Sequence, residues 1–332
     1  MRGLKRRTFL KQAGIAGLSF SLTPSFALEI PRQSSSKKIG IIGLDTSHSV
    51  AFTKAINGNP ERYQHYKVVV AYPYGTQTIT SAAERIPKYV DEVRQMGVGI
   101  TGSITELLRQ VDVVLLETND GRMHLPQASQ VIHARKPLFI DKPIAASLLD
   151  AEKIFDLALK KNVPVFSSSS LRYMPNVQAV AKGEYGKITA ATSYSPAIKE
   201  TTHPDLYWYG IHGVETLFAV MGTGCKTVTS VSTSQADVVT GIWDDGRVAT
   251  FTGMPAGPAV FGGTCICEKG VVQLGPYTGY EPLLLEIIKF FDTGVSPVSS
   301  AETLEILAFM DAASESKRRG SLPIALKDMF NK

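Results

Sequence analysis

The sequence predicts an α/β chain in which a doubly wound parallel sheet is followed by an α+β domain with an open antiparallel sheet. Two observations carry this expectation. From residue 38 to about 167, short apolar runs alternate with helical patterns, which implies parallel strands buried on both faces. Beyond about residue 185 the segments become rich in Thr, Val and Ser, with a turn at Asp244-Asp-Gly246, as in hairpin-connected strands.

The first half reads as strands at Ile39–Gly43, Lys67–Ala71, Val111–Glu117, Leu138–Ile140 and Val163–Ser167. Helical patterns fall between them at Val50–Asn57, Ile104–Gln110, Leu125–Ala134 and Leu148–Lys160, and at Ser81–Met96 with Pro87 interrupting. The second half reads as strands at Lys187–Ser195, Thr227–Ser234, Asp237–Trp243, Arg247–Gly253 and Val260–Cys267. Helices are expected there at Tyr207–Met221, Pro282–Phe291 and Thr303–Lys317. The change of pattern near residues 165–175 divides the chain into a domain over 38–168 and a second over 169–332.

The 332-residue chain has a formal charge of +5, and that excess is local. Residues 1–27 carry Arg2, Lys5, Arg6, Arg7 and Lys11 and no acid; subtracting these five from 35 basic residues leaves 30, against 30 acidic ones. No basic field remains to attract nucleic acid or an anionic membrane. The basic start precedes an apolar stretch, Ala13 to Phe20, and then Ser25-Phe26-Ala27, a small-x-small cleavage signal. Residues 1–27 therefore read as a signal peptide rather than a stable membrane span. The paired arginines before Phe9-Leu10-Lys11 (with Thr8 between) resemble the twin-arginine export signal. Residues 28–37, with Pro31 and a serine run, read as a flexible leader. The expected location is periplasmic or otherwise exported, and the expected partner in transit is the twin-arginine machinery. Cys225, Cys265 and Cys267 offer neither a disulfide framework nor a metal-ligand spacing, so no metal is expected.

Ligands of open parallel sheets sit at the carboxyl ends of the strands. Here those ends are Leu44–His48, Tyr72–Gly75, Glu117–Arg122, Asp141–Pro143 and Ser167–Arg172. The first begins as a glycine turn for a dinucleotide, G-x-G-x-x-G, but only Gly43 is present; Asp45 and His48 hold the other glycine positions. A carboxylate about 4 Å from a pyrophosphate would cost roughly 4 kcal/mol at an effective dielectric of 20. A helix N-terminus returns only about 0.3–1 kcal/mol. Asp45 must therefore turn aside and cap the helix through the amides of Ser47 or His48, or be screened by a cation, or fill the anion site itself. The first is the expectation, with Thr46, Ser47 and His48 still supplying amides and hydroxyls to phosphate. The segment Ala71–Gly75 offers no acid for ribose hydroxyls and no arginine for a 2′-phosphate, so NAD and NADP remain equal.

Asp141-Lys142-Pro143 after an apolar strand resembles the E-K-P motif of the Gfo/Idh/MocA family (glucose–fructose oxidoreductase, inositol dehydrogenase, rhizopine catabolism). Thr118, Asn119 and His124 are similar to that family's T-P-N-x-x-x-H-like segment. Arg172-Tyr173-x-Pro175 and Tyr185-Gly-Lys-Ile188 resemble its entry into the second domain, and Ile211-His212-Gly-Val-Glu215 resembles its G-x-H-x-x-D helix. The ordered set spans nearly all of the chain after the leader. It implies a Rossmann domain with Gly43, Thr46, Ser47, His48, Thr118, Asn119, His124, Asp141, Lys142 and Arg172 at the cofactor. The implied cofactor is NAD or NADP and the implied substrate is a carbohydrate; because the compartment outside has no general nicotinamide pool, an enzyme exported already folded is expected to carry its cofactor tightly bound. Lys142 and His212 become the acid–base candidates, with Arg172, Trp208 and Tyr209 beside them at the substrate. Proline restricts the backbone of Lys142, and a partly buried amine can exchange a proton near neutrality; alone, such a lysine would be a surface turn residue. A lone histidine on an apolar helix face is usually a satisfied core residue. The family often has Asp four residues before this histidine, where Trp208 stands here, so a second proton carrier must come from Lys142, Glu215 or Tyr209. Trp208 could stack on a sugar or simply pack.

Three functions are compatible with these residues. The first is an NAD(P)-dependent oxidoreductase acting on a sugar or polyol hydroxyl. The second is redox-assisted glycoside cleavage, as in some members of the family, and the third is non-catalytic sugar binding on a degenerate frame. A homo-oligomer through the open sheet face is also expected. If the N-terminal reading holds, replacing Arg6 and Arg7 by Lys leaves uncleaved precursor in the cytoplasm, seen by fractionation and immunoblotting; normal processing of that variant removes the twin-arginine assignment.

Overall fold

The computed structural model describes residues 36–76 and 78–331. The expected signal peptide and most of the expected leader lie outside the described residues. Ser36 and Lys37, expected to end a flexible leader, are instead tied down: the Ser36 hydroxyl donates to the His65 carbonyl, and the Lys37 ammonium donates to the Tyr66 hydroxyl and to Asp292.

The parallel sheet consists of β1 (Lys38–Ile42), β2 (Lys67–Tyr72), β3 (Gly99–Ile100), β4 (Val113–Leu116), β5 (Leu138–Asp141) and β6 (Val165–Ser168). Their order is β3-β2-β1-β4-β5-β6 with every pairing parallel, so the topological switch lies between β1 and β4. The helices are α1 (Ser47–Gly58), α2 (Thr80–Ala83), α3 (Ile86–Gln95), α4 (Ile104–Leu108), α5 (His124–His133) and α6 (Leu148–Lys161). Pro87 does interrupt the pattern expected over 81–96, since it lies in the first turn of α3 and separates it from α2. The two-residue strand β3 was not expected; it is too short to show a period.

The second sheet contains β7 (Ile188–Pro196), β8 (Cys225–Ser232), β9 (Asp237–Trp243), β10 (Val248–Met254), β11 (Gly262–Cys267), β12 (Gly270–Leu274) and β13 (Ile324–Ala325). Its order is β12-β11-β7-β10-β9-β8-β13. The sheet is mixed rather than wholly antiparallel, because β7 and β10 pair in parallel at its centre. The chain leaves β7 through α8 (Ile211–Met221) and the β8–β9 hairpin before returning, a crossover long enough to permit a parallel neighbour. α7 (Pro175–Ala181) links the two sheets in sequence, and α9 (Glu281–Thr293) and α10 (Ser300–Arg318) follow the second.

α8 and α10 cover one face of this sheet. The other face is open and presents Tyr194, Val231, Ile242, Val248 and Ile266 to solvent. Helix α9, which a sequence boundary at residue 168 gives to the second domain, buries Leu283, Leu284, Ile287 and Phe290 with Ile39, Phe52, Phe139 and Phe166 against the first sheet. The three cysteines are free and buried. Among the described residues no helix is long and apolar enough to cross a membrane.

Candidate functional site

The carboxyl ends of β1, β4, β5 and β6 open into one cleft of about 400 Å³. Thr46, Ser47 and His48 line it from the start of α1, Asn119 follows β4, Lys142 follows β5 and Ser170 follows β6. The second half of the chain closes it with Trp208, Tyr209, His212, Phe261, Tyr277 and Tyr280.

The β1–α1 turn depends on Gly43. Its φ is +93°, and a Cβ there would meet the backbone of Thr118 at 2.5 Å, so only glycine lets β1 pass β4 so closely. Thr46, in extended geometry, caps α1 by accepting from the His48 amide at 3.4 Å. This corrects the expected cap. Asp45 turns aside, but away from the helix: it accepts from the Asn119 amide at 3.0 Å and the Thr76 amide at 3.3 Å. It is wholly buried, and desolvation outweighs these two bonds, raising its pKa to about 6. The first turn of α1 holds no acid, and its positive end faces the cleft.

The α1 and β5 ends meet through His48, whose Nδ1 lies 2.6 Å from Asp141 Oδ2. Asp141 Oδ1 accepts from the Lys142 amide at 2.8 Å. Burial would raise the Asp141 carboxyl, but His48 and Lys142 overcome that and hold it below its ordinary range. An ionised carboxylate only accepts, so the His48 Nδ1–H donates to it. The peptide bond before Pro143 is cis. Lys142 directs its ammonium towards the Tyr209 ring, 5.8 Å from the centroid.

The His212 ring also packs edge-on with Tyr209, at 5.3 Å. Its Nδ1 is 2.7 Å from the Ser169 hydroxyl. Desolvation, followed by the nearby Lys142 and His48, pushes the His212 pKa well below its ordinary value, so the imidazole is neutral at pH 7. α8 begins at Ile211, so Trp208 and Tyr209 precede the helix they were expected to join, and the i, i+4 comparison of Trp208 with His212 does not apply. Trp208 lines the cleft and packs at 5.0 Å on His203. Of the three carriers considered beside His212, Glu215 is engaged elsewhere: it accepts from Arg172 Nε at 2.9 Å.

Not every expected residue lines the cleft. Arg172 is buried and ion-paired to Glu215 and, at 2.6 Å, to Glu302; its charge joins β6 to α8 and α10. Thr118 donates to Gln127 Oε1 at 2.7 Å, and His124 Nε2 lies 2.6 Å from the Thr118 carbonyl. These two brace the β4 turn from beneath. Residues not foreseen include Ser169, Ser170, Tyr277, Tyr280 and, at the outer end, Ser81 and Arg85. The serine run after β6 was visible as polar residues at a strand end. The tyrosines come from a distant loop with no local motif.

Residues 37–169 match the model of the Gfo/Idh/MocA family, described as an oxidoreductase family with an NAD-binding Rossmann fold. The match covers the parallel sheet and its helices, and it is to this part of the chain that the likeness applies. No curated protein matches the sequence. Among solved structures, a putative myo-inositol dehydrogenase from Sinorhizobium meliloti 1021 aligns with a TM-score of 0.71 at 16% identity, over 87% of this chain and 99% of that one. A probable dehydrogenase from Thermotoga maritima gives 0.70 at 17% identity, over 88% and 99%. The myo-inositol dehydrogenase from Lactobacillus casei, in complex with NAD(H) and myo-inositol, gives 0.69 at 15% identity, over 87% and 96%. At these identities the likeness shows that the whole two-sheet fold is shared.

The burial of Asp45 gives a signed prediction. Its folded pKa of about 6 exceeds the ordinary 3.8, so its stabilising contribution is complete below about pH 4 and lost as pH rises through 6. Relative to Asp45→Asn, wild-type unfolding free energy should therefore fall between pH 4 and 7, by at most about 3 kcal/mol. Urea titrations at both pH values measure this; parallel profiles for the two proteins would contradict it.

Proposed function

We propose that this protein is an exported NAD(P)-dependent oxidoreductase acting on a hydroxyl-bearing carbon of a sugar or polyol, with Lys142 and His212 handling the proton. The observation that supports this best is the convergence of Lys142, Tyr209 and His212 in one cleft with the capped, acid-free start of α1. The cleft suits a dinucleotide: Asp45 is occupied by the Asn119 and Thr76 amides, so its carboxylate is already satisfied from the protein side. Thr46, Ser47 and His48 would hold phosphate, and Asn119 and Lys142 would lie nearer the reacting end. The bound nicotinamide supplies the hydride acceptor or donor.

The remaining work falls to side chains. A substrate hydroxyl between Lys142 and His212 can pass its proton to the neutral imidazole as hydride leaves the same carbon. Ser169 fixes His212 through Nδ1, which leaves Nε2 as the exchanging atom. The Lys142 ammonium stabilises the developing alkoxide, and the His212 imidazolium returns the proton in the reverse direction. Tyr209 packs beside both groups and helps exclude water, and the apolar faces of Trp208 and Phe261 suit the C–H face of a sugar ring. The inositol dehydrogenases among the similar structures make cyclic polyols the first substrates to try. Export with a retained cofactor, and a homo-oligomer through the open face of the second sheet, belong to the same proposal.

Polyols and glycosides tested against the purified protein give its direct test. Net oxidation leaves a ketone or lactone and reduced cofactor, whereas free sugar released from a glycoside marks redox-assisted cleavage instead. Lys142→Ala should abolish turnover with an unchanged circular-dichroism spectrum, and His212→Ala should lower kcat by about 10² to 10⁴. Parent-like rates in either variant would remove the assigned proton route.

A further inference from the structure

Beneath the cleft lies a second group of side chains that the proton route does not use. Glu117, the residue after β4, is wholly buried, and neither of its carboxylate oxygens has a protein hydrogen-bond partner. Neither protonation state satisfies it. As a carboxylate it lacks donors, and as an acid its O–H lacks an acceptor, so it carries the full cost of an unmet buried polar group. Its surroundings are also acidic: Asp141 and Asp45 both act on it, opposed by Lys142. What the side chain does have is company of one kind. An oxygen of Glu117, a carboxylate oxygen of Asp141 and a ring nitrogen of His48 all lie within 4.8 Å of one another.

We propose that His48, Glu117 and Asp141 bind a divalent cation at the ends of β1, β4 and β5. Metal–ligand bonds of about 2.0–2.2 Å place neighbouring ligand atoms roughly 3 Å apart; the group reaches that spread as the His48 ring swings from Asp141 and releases to solvent the ring proton that Asp141 now accepts. The cation supplies the partner that Glu117 otherwise lacks. One imidazole and two carboxylates without thiolate select a borderline ion, Zn²⁺ or Mn²⁺, over Mg²⁺, for which imidazole is a poor ligand. The three residues come from three separate strand ends, so no local ligand spacing could reveal them. The same cation screens the acidic floor of the cleft from a dinucleotide. The site stands on its own geometry and needs neither hydride transfer nor a sugar substrate.

The test uses the full mature chain, freed of metal by chelator and dialysis, without cofactor or substrate. Calorimetric titration with ZnCl₂, MnCl₂ and MgCl₂, together with elemental analysis after gel filtration, reads the stoichiometry. About one Zn²⁺ or Mn²⁺ per chain is expected, with weaker Mg²⁺ binding and a rise in Tm on loading. Glu117→Gln should weaken binding at least tenfold while leaving metal-free Tm equal or higher, since it removes a buried ionisable group. His48→Gln should weaken it comparably. The exposed substitution Asp91→Asn should leave it unchanged. No saturable binding by the wild type, or wild-type affinity retained by Glu117→Gln and His48→Gln, would overturn the proposal and leave Glu117 as a protonated, water-linked acid.

Discussion

The buried carboxylate of Asp45 is the constraint on which the cleft depends. It sits where a dinucleotide turn would normally have glycine, and it draws in amides from the ends of two other strands, Thr76 after β2 and Asn119 after β4. Gly75 packs so closely on it that a Cβ there would come within 2.1 Å of Oδ2. A side chain that would repel phosphate has become a tie among three loops. The tie is costly when ionised, as the raised pKa shows, and the two charged-acceptor hydrogen bonds offset part of that cost. The replacement of glycine is thus compensated beneath the site rather than within it.

From that floor upward the crevice is a problem of charge balance. Asp141 is kept ionised by His48 and Lys142, and the same two side chains help to keep His212 neutral. One residue is thereby kept negative and another neutral, which is the separation that the proposed acid–base chemistry needs. His48 touches both balances. Arg172 has a comparable role deeper in, where its pairing with Glu215 and Glu302 fixes α8, and with it His212, against the end of β6.

Much of the fold was legible because it rests on period and order. Apolar runs alternating with helical patterns gave the parallel sheet, and Gly43, Lys142 and His212 stood in recognisable local settings. What sequence could not show depends on long-range geometry. The helix over 207–221 was read four residues too long, since Trp208 and Tyr209 continue its apolar pattern but belong to the turn that places them in the cleft. Arg172 and Glu215 look like site residues until their mutual ion pair is seen. The contribution of α9 to the first sheet and of Tyr277 and Tyr280 to the cleft has no signature, because a helix face does not state which sheet it will cover. The partners of Asp45 are backbone amides, which sequence does not distinguish at all.

The central claim is that Asp45 lies aside and leaves the start of α1 free to hold a nicotinamide dinucleotide. Protein purified from its mature compartment, denatured and analysed by mass spectrometry, tests this directly, followed by titration of stripped protein with NAD and NADP. The account predicts that one of the two is released and that stripped protein rebinds it at about one equivalent per chain. Protein that is empty as isolated and refuses both dinucleotides would contradict it.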